Sequence, residues 1–155
     1  MAPELAASRT YPVTVERAFD VTLPTPLTDL FSRRYAAIPA IREVRDQAGE
    51  WATAGQTRTI RLADGGSIRE TLTAVDRPDR FAYRLSDISG PMKPLVTGVE
   101  GRWLFEPAGD GARVTWAWTV QPRGPLGRAA MPVFARMWRG YARQALEELE
   151  HILVP

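Results

Sequence analysis

The stretch that decides the fold is GRWLFEPAGDGARVTWAWTVQP, residues 101–122. It contains two runs in which apolar and polar residues alternate, joined by the turn-forming residues AGDG at 108–111. Alternation with a period of two is typical of half-buried β-strands, and a short connection containing Gly between two such runs is typical of a hairpin. Residues 101–122 are therefore predicted to form an antiparallel β-hairpin.

A four-residue loop at 108–111 fixes the predicted register of this hairpin. The pairs that follow are Phe105 with Val114, Trp103 with Trp116, Gly101 with Trp118, and Val99 with Val120. All of these side chains then share one face, while the opposite face is polar and brings Glu106 across from Arg113. Three of the five tryptophans are thus predicted to point into the core, and Gly101 leaves a gap opposite Trp118.

The longest helical pattern follows the hairpin, at residues 135–153. Its apolar residues recur at spacings of three and four, while arginines and glutamates occupy the other side. The apolar stripe consists of Phe134, Trp138, Tyr141, Ala145, Leu149 and Ile152. This helix is expected to cover the aromatic face of the hairpin. The segment 122–127 is expected to break the chain before the helix, and Pro132 to lie in its first turn or to kink it.

Upstream of the hairpin, short alternating runs separated by turn signals predict an antiparallel meander. The runs are 41–47, 56–62, 67–75 and 80–88. The segment 89–95 contains a glycine and two prolines, so it is expected to be a mobile loop.

The N-terminal part is predicted to contain a strand followed by helix. Residues 12–23 alternate and are assigned to the first strand, and residues 1–10 are expected to be loosely ordered. Thr25 is expected to cap a short helix that has Pro26 at its first position, and Pro39 to end the helical region.

Length and composition indicate one ordinary domain, spanning residues 1–155, with 45% hydrophobic and 25% charged residues. The chain has no cysteine, which excludes disulfides, thiolate metal sites and a Cys nucleophile. It has neither a signal-peptide pattern nor an apolar run long enough to span a membrane, so a soluble cytoplasmic protein without integral membrane association is expected.

Charge and motifs argue against several function classes. The formal net charge is +2 and the arginines are scattered among acidic residues, which is unlike a nucleic-acid-binding surface. The single histidine, His151, lies near the chain end and supports neither a metal site nor a catalytic triad. Glycine-rich phosphate loops are missing, so nucleotide cofactors are not expected, and no other cofactor is indicated.

Two charged side chains are predicted to face inward. A turn at Asp64, Gly65 and Gly66 places Arg58 and Glu70 on the apolar face as diagonal neighbours. A carboxylate that faces a core requires a partner, so Arg58 and Glu70 are expected to form an ion pair or to contact a ligand's polar group. The alternatives are a purely structural pair near the sheet rim or a turn register shifted by one residue.

A phenol is predicted on the same inward face. Phe81, Tyr83, Leu85 and Asp87 share a face by alternation. Tyr83 can donate a hydrogen bond to a ligand carbonyl or phenolate, or it can serve packing alone. Asp87, at the strand end, is expected to be solvated or to cap a loop.

The order of elements resembles the helix-grip fold of the START-like superfamily, which includes polyketide cyclase/dehydrase-like and lipid-transport proteins. The resemblance rests on SIRETLTAVDRPDRFAYRL (67–85), GRWLFEPAGDGARVTWAW (101–118) and the terminal helix. It implies an α+β fold, in which a seven-stranded curved antiparallel sheet wraps around a long C-terminal helix and two short helices lie between strands 1 and 2. It also implies a cavity for an apolar small molecule.

Three functions are compatible with this reading. The first is binding or transport of an apolar, lipid-like or aromatic small molecule by a monomer or homodimer. The alternative is a polyketide cyclase, aromatase or dehydrase with Glu70, Arg58 or Tyr83 as the catalytic candidates, and a second alternative is an interaction module that regulates a chaperone. The predicted ligand-binding residues are Arg58, Glu70, Tyr83, Trp103, Phe105, Trp116, Trp118, Phe134 and Trp138.

Overall fold

The computed structural model describes residues 2–155 and contains seven strands and three helices. The elements are β1 (Glu4–Tyr11), α1 (Val15–Thr22), α2 (Leu27–Leu30), β2 (Ile41–Arg45), β3 (Thr57–Leu62), β4 (Ser67–Asp76), β5 (Arg80–Ser89), β6 (Val96–Ala108), β7 (Gly111–Pro122) and α3 (Gly124–Leu153). All strands join one antiparallel sheet in the order β1-β7-β6-β5-β4-β3-β2. This architecture confirms the predicted helix-grip fold.

The β6–β7 hairpin has the predicted register. Trp103 lies opposite Trp116 and Gly101 opposite Trp118, with the aromatic face buried. On the outer face, Arg113 and Glu106 form an ion pair of 3.5 Å. The turn is tighter than predicted, because Ala108 pairs with Gly111 and the left-handed Gly109 (φ +58°) allows a two-residue connection.

The C-terminal helix starts earlier than the apolar stripe indicated. α3 begins at Gly124 with Pro125 in its first turn, where proline suits a helix start. The segment 122–127 therefore contains both the end of β7 and the first residues of α3. Pro132 consequently lies inside the helix and not in its first turn. The buried side of α3 includes Phe134, Trp138 and Tyr141, and the helix contacts β1, β7, α1 and α2.

The predicted first strand was wrong. Residues 15–22 form helix α1, and the Thr14 side chain caps it by accepting a hydrogen bond of 3.1 Å from the Arg17 amide. The apolar residues of this stretch fit both the two-residue period of a strand and the 3.6-residue period of a helix. The buried Ala18 and Phe19 follow the helical period. The first strand is β1, so residues 4–11, most of which were expected to be loosely ordered, form the edge strand beside β7.

The helix that follows α1 is only one turn long. Thr25 does not cap it: its hydroxyl donates to the Val21 carbonyl at 2.5 Å, and Pro26 occupies the N-cap position. Phe19, Leu30 and Phe31 from this region are all buried against the core. The two short helices thus close one end of the space between the sheet and α3.

The turn between β3 and β4 lies one residue earlier than predicted, at Ala63–Gly65, and is closed by a 2.9 Å hydrogen bond from the Leu62 amide to the Gly66 carbonyl. Gly65 (φ +91°) adopts the left-handed conformation that this position requires. The shift places Arg58 directly opposite Glu70, whereas the predicted turn made them diagonal neighbours.

A bulge near the end of β5 changes which side chains face inward. Asp87 is exposed at a positive φ of 49°, and the β4–β5 register skips there. The inward position therefore passes to Ile88, which is buried. Asp87 is solvated, as expected for it, but it does not share the inward face of Tyr83.

The segment 90–95 contains hydrogen-bonded turns, including the Leu95 amide to the Met92 carbonyl at 2.9 Å. Across residues 2–155, the helices are too short or too polar to cross a membrane.

Candidate functional site

A cavity of about 80 Å³ lies between the inner face of the sheet, the two short helices and α3. Its wall is mostly apolar. The lining residues are Thr22, Leu23, Thr25, Leu27, Leu30, Phe31, Ile38, Pro39, Ile41, Arg58, Ile60, Leu62, Ile68, Glu70, Phe81, Tyr83, Leu85, Met92, Trp103, Trp116, Trp118 and Tyr141. The cavity is larger than a single water requires, so the aromatic core is not completely filled.

Six of the nine residues predicted to bind a ligand line this cavity: Arg58, Glu70, Tyr83, Trp103, Trp116 and Trp118. Phe105, Phe134 and Trp138 lie outside its wall. Phe105 stacks on the wall residue Phe81 at 5.9 Å between ring centroids, Trp138 stacks on Trp116 at 4.7 Å, and Phe134 stacks on Trp118 at 6.3 Å. These three rings support the wall from behind.

Three side chains from β5 and β7, the two strands that flank β6, meet at one hydroxyl group. The indole Nε1–H groups of Trp116 and Trp118 both donate to the Tyr83 hydroxyl, at 2.7 and 2.8 Å. We call these three residues the hydroxyl cluster. Its members are at most 9% exposed, so these hydrogen bonds form away from solvent.

Gly101 provides the space that the hydroxyl cluster needs. Tyr83 lies directly opposite Gly101, and a Cβ atom at Gly101 would overlap the Tyr83 ring. The phenol crosses the glycine on β6 and reaches the two indoles on β7. The gap predicted opposite Trp118 is therefore occupied by the Tyr83 ring.

The Tyr83 hydroxyl has one hydrogen-bonding function left. A phenol oxygen has two lone pairs and one proton, and the two indoles use the lone pairs. Burial raises the pKa of Tyr83, and the nearby Glu70 adds to this, while the two indole hydrogen bonds and Arg58 oppose it. Tyr83 is thus a neutral donor, because it keeps its proton at physiological pH.

Arg58 and Glu70 form a buried ion pair in the cavity wall. Arg58 Nε donates to Glu70 Oε1 at 2.6 Å, and both side chains are at most 6% exposed. The guanidinium also donates to Gln47 Oε1 at 3.1 Å and lies 3.8 Å from the ring centroid of Trp51. The positive charge of Arg58 is therefore balanced by protein groups on three sides.

Glu70 retains acceptor capacity towards the cavity. Within residues 2–155 its Oε2 atom accepts no hydrogen bond. Burial raises the pKa of Glu70, and the charge and hydrogen bond of Arg58 partly offset that effect.

Three further polar residues of the wall were not predicted as site residues, namely Thr22, Thr25 and Tyr141. The hydroxyl of Thr22 is buried and has no hydrogen-bond partner in the described part of the chain. Tyr141 donates its hydroxyl proton to the Pro39 carbonyl at 2.9 Å, so this phenol has no free donor. Tyr141 was placed in the helix stripe, but the misassigned strand at 12–23 concealed Thr22.

The buried Trp51 also escaped prediction. It lies between β2 and β3, where no periodic pattern marks a side chain as internal.

Among residues 2–155, His, Asp and Glu side chains form no group of three that could hold a metal ion.

A curved antiparallel sheet and a long helix that enclose an apolar cavity define a helix-grip protein. The sequence profile of the family described as "Polyketide cyclase / dehydrase and lipid transport" matches residues 2–153. The chain belongs to this family. No curated protein matches its sequence.

Solved structures of the same fold share little sequence with this chain. Ginseng major latex-like protein 151 from Panax ginseng is 12% identical with a TM-score of 0.70, and the match covers 100% of this chain and 99% of that one. Ara h 8.0201 is 18% identical with a TM-score of 0.67 and 99% coverage of both chains. A protein from Thermus thermophilus is 21% identical with a TM-score of 0.66, covering 98% of this chain and 97% of that chain.

Proposed function

We propose that the protein binds or carries a small, uncharged, largely apolar molecule in the cavity between the sheet and its helices. The observation that carries this proposal is the 80 Å³ space inside an otherwise close-packed aromatic core. An empty apolar space stabilises nothing by itself, whereas a ligand in it gains contacts with aromatic walls on several sides.

The size of the cavity limits the ligand. Pockets for drug-sized molecules measure roughly 300–1,000 Å³, well above the 80 Å³ found here. An engineered cavity of about 150 Å³ that holds benzene is also larger. A molecule of one aromatic ring is therefore the largest expected occupant, and its entry requires the wall to move outward. Met92 and Leu27 line the cavity from the loop before β6 and from the one-turn helix α2, where such movement would be easiest.

Ethylbenzene is expected to bind in this cavity, because it is apolar and has one ring. Titration followed by amide chemical shifts in NMR spectra should show saturable changes concentrated at the lining residues. Ile68→Phe places a larger side chain in the cavity and is expected to weaken binding at least tenfold. Saturation without changes at the lining residues, or equal affinity in the Ile68→Phe variant, would refute the proposed site.

A second function is favoured by Glu70, and it is proton transfer of the kind used by cyclases and aromatases. The carboxylate lines the cavity, one of its oxygens is free, and burial raises its pKa. A carboxylate in that state can remove a proton next to a ligand carbonyl. Tyr83 would then stabilise the enolate oxygen by donating its proton as a hydrogen bond.

Glu70→Gln is expected to lower such a proton transfer by about 100-fold or more, which is typical for the loss of a general base. Exchange of the methyl protons of acetophenone in D₂O, followed by NMR, measures the reaction. Ethylbenzene affinity serves as the control for an intact cavity. If the wild-type protein does not accelerate the exchange, or if Glu70→Gln retains the full rate, Glu70 is not the base and binding remains as the function.

A further inference from the structure

We propose that the Tyr83 hydroxyl is a dedicated donor for a carbonyl oxygen, so that the cavity selects neutral carbonyl compounds and rejects carboxylates. This inference rests on the proposed binding function and specifies the ligand class. It follows from the hydrogen bonds that the wall already uses and from those that it leaves free.

The first step concerns the lone pairs of the hydroxyl. Trp116 and Trp118 donate to it at 2.7 and 2.8 Å, which occupies both acceptor positions. An oxygen in this state can no longer accept a hydrogen bond from a ligand alcohol or amine. It can only donate.

The second step concerns the proton. No acceptor within residues 2–155 receives a hydrogen bond from Tyr83. A buried donor without a partner is destabilising, so an acceptor in the cavity would gain by supplying the missing interaction. Tyr141, the other phenol of the wall, differs because Pro39 already takes its proton.

The third step concerns the position of the donor. The Tyr83 ring lies over Gly101, and two indoles hold its oxygen from β7. Trp116 is itself packed between Trp103 at 5.6 Å and Trp138 at 4.7 Å, measured between ring centroids. The donor is therefore held in place before a ligand arrives, which reduces the entropy lost on binding.

The fourth step concerns charge. Among the described residues, Arg58 is the only cationic side chain in the cavity wall, and its guanidinium is already engaged by Glu70, Gln47 and Trp51. A ligand carboxylate would lose its hydration and meet the carboxylate of Glu70 without a free cation. A ketone or aldehyde has no such penalty and accepts from Tyr83.

Three probes of similar shape test this inference: ethylbenzene, acetophenone and benzoate. Infrared spectra of ¹³C=O acetophenone bound to the wild-type protein should show the carbonyl stretch below its frequency in hexane and near that in a solution of phenol in hexane. Benzoate at neutral pH is expected to bind at least tenfold more weakly than ethylbenzene. A hexane-like carbonyl stretch, or benzoate binding as tight as that of ethylbenzene, would overturn the inference.

Matched tyrosine variants assign the donor. In Tyr83→Phe, the carbonyl stretch should move away from its phenol-like value, because the only donors left at this position are the indole N–H groups of Trp116 and Trp118. Acetophenone affinity should fall by up to about tenfold, the equivalent of one hydrogen bond. Ethylbenzene affinity should change less than twofold. Tyr141→Phe removes a hydroxyl whose proton is already used, so it should leave the carbonyl stretch unchanged, and an equal effect of the two variants would contradict the assignment.

Ethylbenzene binding distinguishes a failure of the carbonyl-donor inference from a failure of the proposed binding function. If ethylbenzene binds and the acetophenone carbonyl is free of hydrogen bonds, the cavity is a binding site without a carbonyl donor. If none of the probes binds, the proposed function itself fails. The wild-type infrared measurement decides the question even if Tyr83→Phe, which leaves two indole donors unpaired, does not fold.

Discussion

Gly101→Ala is expected to destabilise the protein by about 3 kcal/mol or more, an unusually large effect for one methyl group. The added Cβ would overlap the Tyr83 ring and its hydroxyl, so the phenol must move. When it moves, the two buried indoles lose their acceptor, and each unpaired donor adds roughly 1–3 kcal/mol. Overpacking and unpaired donors thus act together.

Urea unfolding of Gly101→Ala, followed by far-UV circular dichroism, measures this loss. Tyr83→Ala, alone and combined with Gly101→Ala, completes a double-mutant cycle. Because Tyr83→Ala removes the ring that the methyl group would strike, the double variant is expected to be at least about 1 kcal/mol more stable than the sum of the two single effects implies. Additive effects would show that Gly101 does not act through Tyr83.

The prediction for Gly101 shows which parts of the fold the local alternation of apolar and polar residues predicts. The alternation in residues 101–122 predicts the facing pairs Trp103–Trp116 and Gly101–Trp118, because a one-residue slip would move every apolar side chain to the wrong face. The same pattern placed Arg58 and Glu70 on the inner face. Both side chains still face inward although the turn is shifted, because moving the strand pairing by two residues leaves each side chain on the same face of the sheet.

Residues 12–23 show where local pattern fails. Their apolar side chains fit both a strand and a helix, and the choice is made by the Thr14 cap and by the packing of Phe19 on Phe81 and Phe105. Contacts between residues so distant in sequence are not visible in either periodicity. The polar strand β1 was missed for a related reason: an edge strand with small and polar residues lacks a strong apolar alternation.

The cavity depends on tertiary geometry in the same way. Alternation in the strands and the apolar spacing of the helix predicted inward-facing aromatic rings. Neither pattern can distinguish a ring in the wall, such as Trp116, from a ring behind it, such as Trp138. That distinction depends on the curvature of the sheet and on the position of the short helices. Tyr83 was predicted as a possible donor, but its two indole partners, which restrict it to donating, follow only from the structure.

Arg58→Met is expected to lower the free energy of unfolding at pH 7 by about 3–5 kcal/mol, the range for removing one partner of a buried ion pair. Glu70 is 3% exposed and Arg58 is its only hydrogen-bond donor in the described chain, so its charge would be left without compensation. The matched control is Arg58→Met combined with Glu70→Leu. Because this double variant removes both charges, it is expected to regain most or all of the lost stability.

The loss caused by Arg58→Met should depend on pH. Arg58 is the group that lowers the pKa of Glu70, so without it only burial acts, and burial raises this pKa. The folded state of the variant therefore binds a proton on the Glu70 carboxylate more tightly than the unfolded state does. An acid whose pKa is raised on folding contributes stability below its unfolded pKa of about 4.3, and that contribution is lost as the pH rises through the folded pKa. The difference between wild type and Arg58→Met should therefore be smallest near pH 4 and largest at neutral pH.

Unfolding curves of wild type, Arg58→Met and the double variant at pH 4 and pH 7 test this expectation. A destabilisation of Arg58→Met that is equal at both values would mean that lost packing on Trp51, and not the uncompensated charge, is responsible. A double variant that is fully stable but binds benzoate as tightly as ethylbenzene would assign the ion pair to the cavity's selectivity. An apolar pair would then suffice for folding, and the charges would serve to exclude charged ligands from the site.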